Sequence, residues 1–385
     1  MLKLIMPNGL SRDYRTIRRF IKIMETMGAY GFRDLAENVY PNHRFSWMKR
    51  SPGGTEKHSR PQKLRLMFEE LGPTFVKLGQ ILSTRPDLIS KPYADEPTRL
   101  TEHVAPFPVE QVEAIIVEEF GKPPQELFAE FSSRPMAAAS IGQVHAAKLK
   151  DGMEVVVKVR RPGIVETINT DLEIMRFIAG KMEEYSESFE RMEPTRIVSE
   201  FAYSLSRELN YRAEAANLLL FHKNMSGTSN MKVPALVQEL SGEKVLTMER
   251  IHGDSVTTVL ADPEKAARYD LKFLAEVGVN SMLSQIFEYG FFHADPHPGN
   301  IFLLKGNILV FIDFGMMGRV SIAERHDFVK VIDYMLRGEI SLMTDCALRM
   351  TISGQFAGSR DDLERDVSDL VDENINLPLD KISVA

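Results

Sequence analysis

Residues Phe292–Gly315 read FHADPHPGNIFLLKGNILVFIDFG. Asp295 and Asn300 are five apart in the pattern H-x-D-x-x-x-x-N, and Asp313-Phe314-Gly315 begins thirteen residues after Asn300, beyond two strand-like runs over 301–304 and 308–312. The Asn300 amide and the Asp313 carboxylate, brought together by a short hairpin, are oxygen donors suited to a hard Mg²⁺ ion bridging nucleotide phosphates. A further carboxylate, Asp295, stands where a phosphate acceptor would be oriented and its proton accepted. His293 is read as a buttress that hydrogen-bonds within the loop. The plain alternative is a pair of turns rich in Asp, Asn and Gly. The joint spacing, the flanking strands and a lysine hairpin upstream speak against it.

That hairpin is formed by Ile141–Leu149 (IGQVHAAKL) and Met153–Arg161 (MEVVVKVRR). They flank Lys150-Asp151-Gly152, whose Asp-Gly pair is a strong turn signal between β-capable runs. Lys158 closes the run Val155-Val156-Val157 and is expected to face the nucleotide, where a lysine held by a helix glutamate can pair with the α and β phosphates. Pro194–Lys223 reads as one helix through Ile197, Phe201, Leu205, Leu209 and Leu218, so Glu208 and Glu214 project roughly 120° apart around its axis. Val233–Ile251 reads as more strand, and Ala266–Tyr289 as a long, mostly buried helix. Arg99–Ser140 combines a helix over Val109–Phe120 with Pro-containing loops.

A lysine strand, an H-x-D-x-x-x-x-N loop and an Asp-Phe-Gly loop in this order are the catalytic and metal-loop arrangement of protein-kinase-like enzymes. Within those enzymes the chain resembles the ABC1/UbiB family of atypical kinases. The resemblance rests on Lys77-Leu78-Gly79-Gln80 (K-x-G-Q), Ala137-Ala138-Ala139-Ser140 ahead of Ile141-Gly142-Gln143-Val144-His145, Lys158, the stretch from Glu208 to Asn217, and the loops above. It spans roughly residues 70–320. It implies an α+β, two-lobed protein-kinase-like fold with an N-terminal helical extension that carries the K-x-G-Q motif.

The domains expected are a basic helical extension and linker (1–60), a family-specific helical extension (61–130), an N-lobe (131–250) and a C-lobe (251–385). Family members commonly continue further, so the expectation is either a truncated C-lobe or a shortened member of the family. The resemblance also implies site roles. Glu214 would pair with Lys158, while Lys77 and Gln80, on one face of a helix starting at Pro73, would fold over the site with Glu208 as the partner of Lys77. Ala137, Ala138, Ala139 and Ser140 would lie along the phosphates of ATP or ADP, where other kinases carry glycine; alanine's Cβ resists the positive-φ turns that wrap phosphates. Main-chain groups around Met248, Glu249 and Ile251 would meet adenine. Asn210 stands where the family's E-x-D pattern has aspartate.

Composition bounds the partners. The chain has 385 residues, 44% of them apolar and 26% charged, enough for a sizeable core. One cysteine, Cys346, and the lack of a secretory signal pattern point to a reducing compartment. No run of about 18 apolar residues predicts a membrane span. Residues 1–60 carry a net +7 and the remainder −14. Within the basic part, Ile17, Phe20, Ile21, Met24 and Met27 recur at helical spacing beside Arg15, Arg18, Arg19 and Lys22. Such a helix could lie on an anionic lipid surface, or dock on the domain as an ordinary surface helix. The acidic remainder argues against nucleic acid.

The expected function is thus an Mg-ATP-dependent atypical kinase or ATPase, cytoplasmic and peripheral to the inner face of a membrane. By resemblance alone, it would support ubiquinone or related isoprenoid-quinone biosynthesis, with membrane lipids, a prenylated quinone precursor and quinone-biosynthesis proteins as partners. The alternatives are a protein or small-molecule kinase, and a nucleotide-gated lipid or complex-assembly module with little turnover.

Overall fold

A computed structural model describes residues 13–34, 37, 58–83, 90–96, 100, 105–185, 193–350 and 359–374. Most of the linker expected within residues 1–60 lies outside the described residues, as do the two chain ends. Helices α1 (Tyr14–Ala29), α2 (Arg60–Leu71), α3 (Pro73–Ser83), α4 (Lys91–Asp95), α5 (Val109–Phe120) and α6 (Pro124–Leu127) precede strands β1 (Glu130–Ala138), β2 (Gly142–Lys148) and β3 (Glu154–Arg160). Then come α7 (Ile164–Tyr185), α8 (Pro194–Glu208), α9 (Tyr211–Met225), β4 (Met231–Lys232), β5 (Val245–Glu249) and β6 (Asp254–Ser255). The remainder is α10 (Val256–Ala261), α11 (Pro263–Ala266), α12 (Leu271–Leu283), β7 (Phe291–His293), β8 (Ile301–Leu304), β9 (Ile308–Phe311), β10 (Met317–Arg319), α13 (Ile322–Arg337), α14 (Ile340–Met350) and α15 (Arg360–Asn374).

The chain divides into two compact units: residues 1–220, 234–252 and 313–316, and residues 221–233, 253–312 and 317–385. The first holds an antiparallel sheet in the order β1-β2-β3-β5. The β2–β3 hairpin runs in unbroken register from Gly142 opposite Arg160 to Lys148 opposite Glu154. Val155, Val157 and Val159 are fully buried with Val112, Ile115 and Ile116 of α5. Because side chains alternate along a strand, Lys158 and Arg160 are delivered to the opposite face.

A second layer packs Phe20, Ile23 and Met24 of α1, Phe68 of α2, Phe75 of α3, Ile168 and Leu172 of α7, and Phe201 and Leu205 of α8 into one cluster. Gly79, third residue of the K-x-G-Q motif, lets α3 approach closely: a Cβ there would fall 2.5 Å from Leu100 and 2.8 Å from Phe68. In α1 the apolar side is consumed by this core, and Arg15, Arg18 and Lys22 face outward. It is therefore the docked surface helix, and its apolar face is not free to enter lipid.

The second unit carries a sheet in the order β4-β9-β8-β6 and the pair β10-β7. Helix α12 starts only at Leu271, where the Asp270 side chain accepts the Phe273 N–H at 3.0 Å, and its last turns widen into a π-helix over Ser284–Tyr289. The expected helix from Ala266 is thus shorter, and it is not mostly buried: Leu271, Val279, Leu283 and Tyr289 are exposed. Three other expectations also change. Pro194–Lys223 forms two helices, broken at Leu209-Asn210. Val233–Ile251 forms strand only over Val245–Glu249, apart from an isolated bridge of Leu236 to Met248. Ala137 and Ala138 are not loop residues but the end of β1, opposite Val144 and Gln143.

Candidate functional site

In the first unit, β3, α9 and the Asp313-Phe314-Gly315 segment bring three predicted residues together. Lys158 Nζ donates to Glu214 Oε1 at 2.6 Å and lies 3.8 Å from Asp313 Oδ2. Glu214 is almost fully buried, whereas the Asp313 side chain keeps 42% of its exposure. Burial alone works against the Lys158 charge, but Asp313 and Glu214 outweigh it and hold the ammonium protonated well above the ordinary lysine range. Burial pushes the Glu214 carboxyl up, and Asp313 adds to this while Lys158 opposes it.

The Phe314 main chain is held at both its polar groups. Its N–H reaches Glu214, and its carbonyl accepts from Asn217 Nδ2 at 2.9 Å. The Phe314 ring is fully buried. The Asp313 carboxylate accepts the Gly315 N–H at 3.0 Å, a local turn that fixes its direction. Asn217 was legible as part of a motif, but its role was not: its partner is 97 residues away.

A second ion pair stands beside the first. Lys77 Nζ of α3 lies 2.5 Å from Glu208 Oε1, with side chains only 17% and 22% exposed. Gln80 follows one turn later on α3, its carbonyl accepting the Ser83 hydroxyl at 2.6 Å. Glu208 and Glu214 sit on separate helices, and Asn210 forms the corner between them by accepting the Arg212 N–H on its side-chain oxygen at 3.0 Å. Asparagine caps a helix as well as aspartate does, so the departure from E-x-D costs nothing in this role.

Ala139 turns its N–H onto the Gly142 carbonyl at 2.8 Å, and Ser140 is buried with no partner for its hydroxyl among the described residues. The residues that follow are structural. Gln143 brackets Phe107, accepting its N–H at 3.0 Å and donating to its carbonyl at 3.3 Å, and its amide donates to His145 Nε2 at 2.9 Å. His145 is therefore protonated at Nδ1, which faces the Ser132 carbonyl at 2.8 Å. The Glu249 N–H is bonded to the Ala235 carbonyl at 2.8 Å, and Ile251 lies just past the end of β5.

In the second unit, Asp295 follows β7 and Asn300 leads into β8. His293 is buried, takes the Asp295 N–H on Nδ1 at 3.2 Å, and is itself fixed through its own N–H by Gln285 at 2.9 Å. His297 accepts the Gly299 N–H at 3.0 Å, and the Asn300 carbonyl accepts the Ile312 N–H at 3.1 Å. Both histidines thus shape the loop. Among the described residues no cluster of three or more His, Cys, Asp or Glu side chains could cage a metal. The Asn300 amide and the Asp313 carboxylate offer oxygen donors, the chemistry that Mg²⁺ takes alongside phosphate and water.

Comparison with known proteins assigns the family. Residues 99–346 match the ABC1 atypical kinase-like domain. A protein of Marinobacter nauticus named probable protein kinase UbiB is 44% identical over 269 residues, covering 69% of this chain and 49% of its own. Its namesake from Pseudomonas putida is 42% identical over 289 residues, covering 74% and 52%. The chain thus spans about half the length of the curated relatives it matches. Among solved structures, the complex of Rv3197 with erythromycin from Mycobacterium tuberculosis aligns with a TM-score of 0.53 at 28% identity, covering 78% of this chain and 76% of that one. With its lysine strand, its glutamate helix and its Asp-Phe-Gly segment in this arrangement, the chain belongs to the ABC1/UbiB family of atypical kinase-like proteins.

Proposed function

We propose that this protein is an Mg-ATP-dependent atypical kinase or ATPase that acts at a membrane surface in isoprenoid-quinone metabolism. The observation that carries the nucleotide reading is Lys158, held between Glu214 and Asp313 while Glu214 and Asn217 grip Phe314. A protonated lysine fixed by a buried glutamate is a ready electrostatic partner for the α and β phosphates. Ala137–Ser140 would lie along those phosphates, and main-chain groups near Glu249 and Ile251 would meet adenine. Asn300 and Asp313 would hold Mg²⁺, which supplies charge neutralisation to the phosphates when bound. Asp295 would orient the acceptor, water or a hydroxyl, and take its proton. Lys77, Gln80 and Glu208 would regulate access.

The quinone assignment follows from the name UbiB carried by the relatives. Contact with lipid is supported by the outward basic side of α1, which borders a cleft of about 920 Å³ lined by Tyr14, Arg15, Arg18 and Lys22. Prenylated precursor and membrane lipid are then the client and the surface.

The test is ADP release from Mg-ATP by the purified chain, with and without anionic liposomes and a phenolic quinone-precursor analogue. Turnover stimulated by lipid or phenol and abolished by Asp313→Asn is the expected result. Turnover that survives Asp313→Asn would refute the metal assignment. Mg-dependent nucleotide binding without turnover would favour a nucleotide-gated module.

A further inference from the structure

The corner between α8 and α9 carries both glutamates, and its place on the sheet is set by a side chain that belongs to no motif. Arg160 is buried on the same face of β3 as Lys158, two residues further along. Its Nη1 donates to the Leu209 carbonyl at 2.6 Å, and both Nη atoms lie 3.3 Å from Glu243 Oε1. The Leu209 carbonyl is one of the last of α8, which has no acceptor role left within the helix, and a guanidinium there answers both the bare oxygen and the negative end of the helix dipole.

Two further contacts secure the same corner. The Tyr211 N–H donates to the Glu243 carbonyl at 3.1 Å. Its phenol lies over Gly142, where a Cβ would come within 2.5 Å of the hydroxyl oxygen, and Gly142 is the residue opposite Arg160 in the β2–β3 register. The Tyr211 ring in turn lies 5.8 Å from Lys158 Nζ. Lysine strand and glutamate helix are thus joined at the helix start, one turn ahead of Glu214.

We infer that Arg160 is a positioning residue that ties the α8–α9 corner to β3, so that the Lys158–Glu214 pair is assembled before any nucleotide arrives. In kinase-like sites the lysine–glutamate pair is made or broken as the glutamate helix moves. Here a buried, charge-assisted hydrogen bond removes that freedom, and control of the site falls to elements other than α9. The functional readout of this inference rests on the nucleotide reading above; the tie itself does not.

Arg160→Gln, Arg160→Lys and Gly142→Ala in the full chain test it. In hydrogen exchange without nucleotide, Arg160→Gln is expected to speed exchange of the amides over 212–217 about tenfold, with those of α7 unchanged. Arg160→Lys, whose ammonium still reaches a carbonyl, restores most of the protection. Gly142→Ala, whose Cβ would meet the Tyr211 hydroxyl oxygen at 2.5 Å and the Val159 carbonyl oxygen of β3 at 2.6 Å, disturbs the same corner by another route and supplies a second variant should Arg160→Gln fail to fold. In parallel, Kd for Mg-ADP rises about tenfold in Arg160→Gln and returns to within about threefold of the original in Arg160→Lys. Unchanged protection over 212–217 in the folded variants overturns the tie. Loosened amides together with no Mg-ADP binding by the unaltered chain would instead overturn the nucleotide reading and leave the tie standing.

Discussion

At Ala139 both main-chain polar groups are already engaged: the N–H by Gly142, and the carbonyl by Arg161 Nη2 at 3.4 Å. A methyl group on Cα keeps this turn from the positive-φ forms that would aim an amide at phosphate. Ala139→Gly is therefore expected to tighten Mg-ATP binding about threefold or more, read by calorimetric titration; an unchanged Kd would remove this account of the loop. His145 gives a prediction in pH. Burial holds its imidazole below the ordinary value of 6.5, only partly offset by its bond to the Ser132 carbonyl. The unfolded chain thus takes up a proton that the fold resists. The contribution of His145 is complete above pH 6.5 and is lost as pH falls through the lowered value. The urea midpoint should drop on acidification in the original chain and drop less in His145→Gln. Asp295, Asn300 and Asp313 were legible because they fall within one short stretch. Arg160 was not, since its partners Leu209 and Glu243 are 49 and 83 residues away and a lone arginine on a strand has no local signature.

At the scale of elements, the helix that carries Lys77 is held by a buried ion pair. Asp171 of α7 is fully buried, accepts Arg19 of α1 through Nε at 2.5 Å and Nη2 at 2.8 Å, and takes the Thr74 hydroxyl of α3 at 2.6 Å. Arg19 also donates to the Leu71 carbonyl at the end of α2. Removing the carboxylate leaves a half-buried guanidinium without its counter-charge. Asp171→Asn is expected to cost on the order of 3 kcal/mol in denaturant unfolding. It should also loosen α3, measured as faster amide exchange around Lys77; exchange unaltered there would mean that α3 is held by apolar packing alone. The elements that sequence reading mistook have identifiable causes. Apolar periodicity continues through Leu209, which hides the break that Asn210 makes by capping α9. In β1, Pro135 disguises a strand, and the fold accommodates it because β1 is a sheet edge with a register shift on either side of that residue. The β2–β3 hairpin was plain because its turn chemistry and its strand alternation agree.

For the whole molecule, charge is the property read most directly. The basic surplus of residues 1–60 meets the solvent on α1 as Arg15, Arg18 and Lys22, each exposed. With about 1 kcal/mol per basic side chain at an anionic surface, replacing all three by glutamate should abolish flotation with anionic vesicles. Binding by the unaltered chain should fade with salt, because screening weakens charge attraction and leaves apolar insertion intact. Salt-independent flotation would point to a different surface. What composition could not supply was the fate of the apolar side of α1. Its spacing suits a lipid boundary and a protein core equally, and the choice is made by α7, far along the chain.

That distance has a consequence for synthesis. The residue that receives Arg19 is translated 152 positions after it. At ribosomal rates this corresponds to roughly 8–30 s. Throughout that interval Ile17, Phe20, Ile23 and Met24 have been made and their partners on α7 have not. The nascent chain therefore displays the apolar face of a basic helix without the α7 partners that cover it in the finished protein, and chaperones or a nearby bilayer can engage that face first.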